Sequence, residues 1–254
     1  VRRAGFLALL APLVMGQAKP ELVPDVSQRD IEIAYSFTGA ELLLFGAILY
    51  PGGHATAQGQ KPADVVVVVK GPTESVVVRE KSKVAGIWVN ADQMRYRSAP
   101  SFYAMASSRP INELVDERTR AIYELGLESL QLSPASAASP DVQARFDRGF
   151  VDLKQRSRLF YEAPRAVEIT DGVLYRARLT IPARVPVGRF TAETFLIRDG
   201  RVLAAAVRPI EIRKSGFERF VATSADQHSI VYGLVAVGVS FLFGWGAGAL
   251  WRRF

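Results

Sequence analysis

The chain has 254 residues, 49% of them apolar and 22% charged, which is enough hydrophobic material for a buried core and too much for a disordered tail. It contains no cysteine, which removes thiolate metal sites, thiol nucleophiles and disulfides, and its imidazoles are those of His54 and His228. The net charge of +7 resembles a nucleic-acid signal until it is located: Arg2, Arg3, Arg252 and Arg253 carry four of those charges, and the excess of three left over residues 19–229 makes no electrostatic case for nucleic acid.

The first eighteen residues, VRRAGFLALLAPLVMGQA, place two arginines before an apolar run from Ala4 to Met15 and small residues before a cut between Ala18 and Lys19. This layout predicts a secretory signal peptide. As a helix the apolar run would rise only about 18 Å against a hydrocarbon core of about 30 Å, which argues against an uncleaved anchor.

From Asp30 the dominant period is two. Ile31, Ile33, Tyr35 and Phe37 alternate with Glu32, Ala34 and Ser36, the pattern of a strand with one wet face. Further strands are predicted over residues 41–49, 65–70, 75–80, 84–90 and 102–107. The five valines from Val65 to Val69 predict a central strand covered on both faces. Between the segments 41–49 and 65–70, His54 lies in a Gly-rich loop with no second His or Cys near it, so an exposed loop histidine is the simpler reading than a metal ligand.

A helical insertion is expected at about 110–161. Ile111, Leu114, Val115, Ile122 and Leu125 mark one stripe. Ser139, Pro140 and Asp141 form a helix start, followed by a second stripe of Val142, Phe146, Phe150, Leu153 and Phe160. Strand alternation then returns through Val173, Tyr175, Ala177, Leu179 and Ile181. The pairs Asp171-Gly172 and Asp199-Gly200 predict hairpin turns, because a type I′ turn needs positive φ at both central positions. Many short strands with frequent turns predict a mainly β fold, an immunoglobulin-like antiparallel sandwich (one or two) occupying residues 19–214. The segment Ile181–Glu193 resembles the Pro-x-Gly-x-aromatic turn of immunoglobulin-like bacterial surface and periplasmic modules.

Residues 215–229 are expected to link this region to the membrane, with Phe217, Phe220 and Val221 near the headgroups. Residues 230–251 contain no charge and would span about 33 Å as a helix, enough to cross a bilayer. With the leader exporting the middle of the chain, the expected topology is a single-pass bacterial inner-membrane protein, its bulk periplasmic and residues 252–254 a cytoplasmic tail. Arg213, Lys214 and Arg219 on the outer side weaken the positive-inside signal, so the leader decides the orientation.

The string Phe37-Thr38-Gly39-Ala40-Glu41, then Lys81, Gly86-Ile87-Trp88-Val89-Asn90, and then Pro100-x-Phe102-Tyr103-Ala104 resembles the alphaproteobacterial conserved transmembrane family of unknown function. The resemblance implies a leader, a β-rich exported region and one C-terminal span, carries no catalytic residue, and implies company with a multi-span permease.

No hydrolase, zincin, phosphate-loop or dinucleotide motif occurs, so no catalytic residue, metal or cofactor is assigned. The sharper clue is in the span, where Ala236, Ser240, Gly244 and Gly248 recur every four residues and put small side chains on one helix face. That face predicts packing against another integral membrane protein or a second copy, within the lipid bilayer. The leading expectation is a tethered interaction module, an accessory subunit of an inner-membrane transporter or envelope complex. The alternative is a ligand-binding or sensory domain using a loop or a cleft beside the helices, with His54, Trp88, Tyr96, Phe102 and Tyr103 as its candidate surface; core packing is the competing role for most of these aromatics.

Overall fold

The computed structural model describes residues 19–33, 39–51, 62–214, 221 and 224–251. The expected leader, Tyr35, Phe37, His54, Phe217 and Phe220 lie outside the described residues.

The fold is mainly β with one C-terminal apolar helix. A four-stranded sheet takes the order β1 (Glu21–Val26), β3 (Ala40–Leu49), β11 (Leu174–Ile181), β10 (Val167–Thr170). A six-stranded sheet takes the order β2 (Asp30–Ile33), β13 (Arg201–Lys214), β12 (Gly188–Arg198), β4 (Asp64–Lys70), β7 (Tyr103–Ser107), β9 (Phe160–Pro164). Pairing is antiparallel except at the two edges of the larger sheet, where β2 runs parallel to β13 and β9 parallel to β7. The antiparallel expectation thus holds in the interior and gives way where a connection returns the chain to an edge in the same direction.

Alternation decides what each face touches. Tyr175, Ala177, Leu179 and Ile181 on β11 meet Val65, Val67 and Val69 on β4, with Phe102, Phe190 and Ile210, in a core sealed between the two sheets. Val66 and Val68 point the other way, into a second core with Tyr96, Tyr103, Met105, Phe146, Phe150 and Phe160. All five valines are fully buried, and β4 is an interior strand between β12 and β7, as the run of β-branched residues requires. The result is one sandwich carrying a third layer on the outside of its larger sheet.

That third layer contains the helices and a sheet of order β5 (Thr73–Val84), β6 (Ile87–Pro100), β8 (Ser133–Pro134). Here the structure departs from several expectations. The strand predicted over 84–90 is the tip of a long hairpin, turned at Ala85 (φ 48°) and Gly86 (φ 87°). The first helical stripe is two short helices, α1 (Ile111–Leu114) and α2 (Glu117–Tyr123). Val115 is extended between them, and Asp116 caps α2 by accepting a hydrogen bond from the Thr119 N–H at 2.8 Å. In place of a helical hairpin, these two lead through a 3₁₀ turn at Leu127–Ser129 to one long helix, α3 (Pro140–Arg156). Ser139 occupies the cap position of α3 without a side-chain cap bond, and Phe160, expected on the helix, lies in β9.

Strands β4 and β13 are each antiparallel to β12, so they run in the same direction; Thr191 pairs with Lys70 on one side and Pro209 on the other. The β5–β6 hairpin, which follows β4, and the chain leading to the membrane, which follows β13, therefore leave the sheet at the same end. Beyond the linker, the terminal helix Ser229–Trp251 is long and apolar enough to cross a membrane, with mean hydropathy 1.9 over Ser229–Gly248 and none of that window buried. Residues 224–227 are helical, and the His228 N–H donates to the Ser224 carbonyl at 3.0 Å.

Candidate functional site

Two concave surfaces stand out among the described residues, one in the third layer and one on the terminal helix. The first is an open cleft of about 920 Å³ walled by Asp147, Arg148 and Val151 of α3, by the Gly126–Glu128 turn, and by Phe160, Tyr161 and Glu162 of β9. Its far wall is held in place by hydrogen bonds to Tyr103 and Glu162. The Tyr103 hydroxyl donates to the Glu124 carbonyl at 2.8 Å and accepts from the Gly126 N–H at 3.0 Å. Glu162 Oε1 accepts from the Leu127 N–H at 2.6 Å, which fixes the 3₁₀ turn against the sheet. Gly126 adopts φ 107°, a conformation that suits glycine.

The cleft's carboxylates are therefore engaged. Asp147 Oδ1 accepts from the Tyr96 hydroxyl at 2.6 Å, and Glu162 braces the turn. Burial, and then this carboxylate, push the Tyr96 phenol up, and burial does the same to Tyr103. Tyr161 is raised to about 12 by burial while its hydroxyl is bonded to both the N–H and the carbonyl of Thr180. The cationic side is Arg120 and Arg148; Arg120 lies 3.9 Å from Glu128, and its Nε is buried without a hydrogen-bond partner. These groups suit recognition of an anionic or polar ligand.

The aromatic residues singled out from the sequence do not share a surface. Phe102 packs in the sandwich core, Tyr96 and Tyr103 in the second core, and all three are fully buried. Trp88 is 66% exposed at the hairpin tip, and His54 is outside the described residues. The cleft's arginines and Glu162 had no distinguishing sequence signal, because they sit on separate elements that only the tertiary fold brings together.

The second surface is a groove of about 500 Å³ along the terminal helix, lined by Ala236, Val237, Ser240, Phe241, Gly244 and Trp245. Three of the four small residues predicted to share a face thus line one groove, and Gly248 is one helical step beyond them. The Ser240 hydroxyl donates to the Ala236 carbonyl at 2.9 Å, so it is satisfied within the helix. A Cβ built on Gly244 meets nothing within 4 Å. The floor is small side chains and backbone and the walls are Phe241 and Trp245, a shape that admits the ridge of another helix.

A comparison with curated proteins finds no match. Residues 21–253 match the family described as "Putative transmembrane protein (Alph_Pro_TM)", a span that takes in both the β-rich region and the apolar helix, and the chain belongs to that family.

Proposed function

We propose that this protein is a non-catalytic interaction module tethered to the bacterial inner membrane, an accessory subunit of an integral transporter or envelope complex. In this reading the leader directs export, the immunoglobulin-like sandwich stands in the periplasm, and residues 252–254 face the cytoplasm. The observation that carries it is the groove over Ala236, Ser240 and Gly244 on a helix that the other described residues leave unburied over Ser229–Gly248. In lipid, association of helices depends on close packing, since lipid tails are as apolar as leucine, and a face of small residues permits that approach.

The test is an affinity pull-down of the tagged full-length protein in mild detergent. It is compared with Gly244→Ile and with a version carrying a generic leucine-rich span. A membrane protein, or a second copy of the chain, is expected with the native span only. Monomeric behaviour with no co-purifying protein in any version would overturn the proposal. One observation favours a second reading, a periplasmic ligand-binding or sensory domain: the cleft with Arg120 and Arg148 on its lining and a buried, unpaired Arg120 Nε. Saturable binding of a small anion to the full-length protein, lost on Arg148→Ala, would move the assignment there.

A further inference from the structure

The β5–β6 hairpin is unusual for where it puts apolar side chains. Its basal half is anchored: Val78, Met94 and Tyr96 are buried in the second core, and Arg145 of α3 reaches Glu80 at 3.0 Å and Asp92 at 3.6 Å. Beyond that brace every residue from Lys83 to Gln93 is exposed. Yet the exposed end is Val84 (56%), Ile87 (68%), Trp88 (66%) and Val89 (41%) around the Ala85-Gly86 turn. A soluble hairpin tip is ordinarily polar, and clustered apolar exposure marks an interaction surface.

The distribution around the strands narrows the partner. Lys83 pairs with Trp88 and Lys81 with Asn90 on one face, whereas Val84 pairs with Ile87 and Ser82 with Val89 on the other. Apolar side chains therefore stand on both faces of the tip, Val84, Ile87 and Val89 on one and Trp88, opposite Lys83, on the other. A protein partner's flat surface would cover only one of them, whereas a lipid layer surrounds an inserted tip. Lys83 stands opposite Trp88 and Lys81 follows two residues behind it, and the nearest acids, Glu80 and Asp92, are already occupied by Arg145. An apolar end with an indole and an adjacent cationic collar fits the headgroup layer, where Trp partitions and lysines meet lipid phosphates. The root of the hairpin, where Thr73 pairs with Pro100, lies at the end of the six-stranded sheet at which β13 finishes.

We propose that this hairpin is a membrane-surface arm: Val84, Ile87, Trp88 and Val89 enter the headgroup layer of the bilayer that the chain spans, and Lys81 and Lys83 contact anionic lipid phosphates. The arm gives the β-rich region a second attachment and so fixes its height and rotation over the membrane. This does not depend on what packs against the terminal helix.

Because the chain has no cysteine, a single nitroxide label can report the arm. Full-length Val84→Cys, labelled and reconstituted in vesicles of phosphatidylcholine and phosphatidylglycerol, is compared with Thr170→Cys on the exposed end of β10. The Val84 label is expected to gain collisions with oxygen and lose collisions with a water-soluble nickel chelate, while the Thr170 label stays aqueous. Adding Ile87→Ser and Trp88→Ser should return the Val84 label to water. Lys81→Gln and Lys83→Gln should each weaken the arm's association with anionic vesicles about fivefold, with no effect on phosphatidylcholine alone. The hairpin positions are exposed and make no side-chain hydrogen bond or ion pair among the described residues, and unchanged thermal melting confirms that the variants fold. A Val84 label as aqueous as the Thr170 label in vesicles would overturn the proposal. If such a label were immobilised only in native membranes, the tip would be a protein-docking element instead.

Discussion

Tyr103 does more than fill space. Its ring lies edge-on to Phe160, with centroids 6.1 Å apart, while its hydroxyl serves the Glu124 carbonyl and the Gly126 N–H. Those backbone groups close the far wall of the cleft and have no other hydrogen-bond partner among the described residues. Tyr103→Phe keeps the ring and strands both, so it is expected to cost about 1–3 kcal/mol, read as a lower urea midpoint at unchanged slope. Tyr96→Phe should cost less, about 1 kcal/mol, because its partner Asp147 is only half-buried and water can replace the lost hydroxyl. A Tyr103→Phe midpoint equal to that of the native chain would show that the turn is held by Glu162 alone. Lys70 makes the same kind of connection at the opposite side of that wall, bonding Glu124 at 2.7 Å and Glu193 at 3.3 Å.

Among elements, the β5–β6 hairpin carries a local conflict at its turn. Ala85 sits at φ 48°, a left-handed conformation that costs an ordinary residue about 1–2 kcal/mol and that asparagine tolerates better. Ala85→Asn is expected to stabilise the protein by up to about 1 kcal/mol and to leave every contact beyond the hairpin untouched. A raised melting temperature checks it; a lowered one would mean that the turn is not the type the dihedrals indicate. The same turn explains why residues 84–90 read as one strand. Asp171-Gly172 and Asp199-Gly200 announce their hairpins through the residue type at the first positive φ, and both form as expected, at φ 53° and 48°. Alanine at position 85 sends no such signal, and Val84, Ile87 and Val89 carry β propensity straight through it. The split between α1 and α2 was hidden for a related reason. Ile111, Leu114 and Val115 keep helical spacing across a break that only the Asp116 cap reveals. Burial was equally illegible at Trp88, because an apolar side chain bound for a membrane surface and one bound for a core have the same composition. By contrast, the β4 valines and the alternation of β11 were readable, since both follow from which face of a strand meets water.

At the scale of the molecule, the titrating groups with resolved shifts point to alkali as the sensitive side. Burial raises Tyr50, Tyr96, Tyr103, Tyr161 and Tyr175 above the ordinary 10.0. For Lys70 burial acts downward, but Glu124 and Glu193 outweigh it and the net shift is upward from 10.5. In each case the folded state holds its proton more tightly than the unfolded chain. The corresponding stability is complete below the unfolded values and is lost as pH climbs through the folded ones. Urea midpoints should thus stay level from neutrality to about pH 9 and fall steadily above about pH 10. On the acid side, the lowered groups Asp25, Asp116 and Glu211 are solvent-exposed and salt-screened, so mild acid should move the midpoint little. A midpoint insensitive to alkali would mean that these phenols keep their shifted environment after unfolding.

The run Val65–Val69 is a party wall, with odd residues in one core and even residues in the other. Neither layer can swing open without dismantling a surface that its neighbour also leans on, so the sandwich and the helical layer are bound to a common fate. In deuterium-labelling experiments the amides of this strand should be the last to exchange, and those of the Phe146–Phe150 turn and of β11 should share a single opening free energy with them. The hairpin tip beyond the Arg145 brace, exposed from Lys83 to Gln93, should exchange on its own much faster schedule.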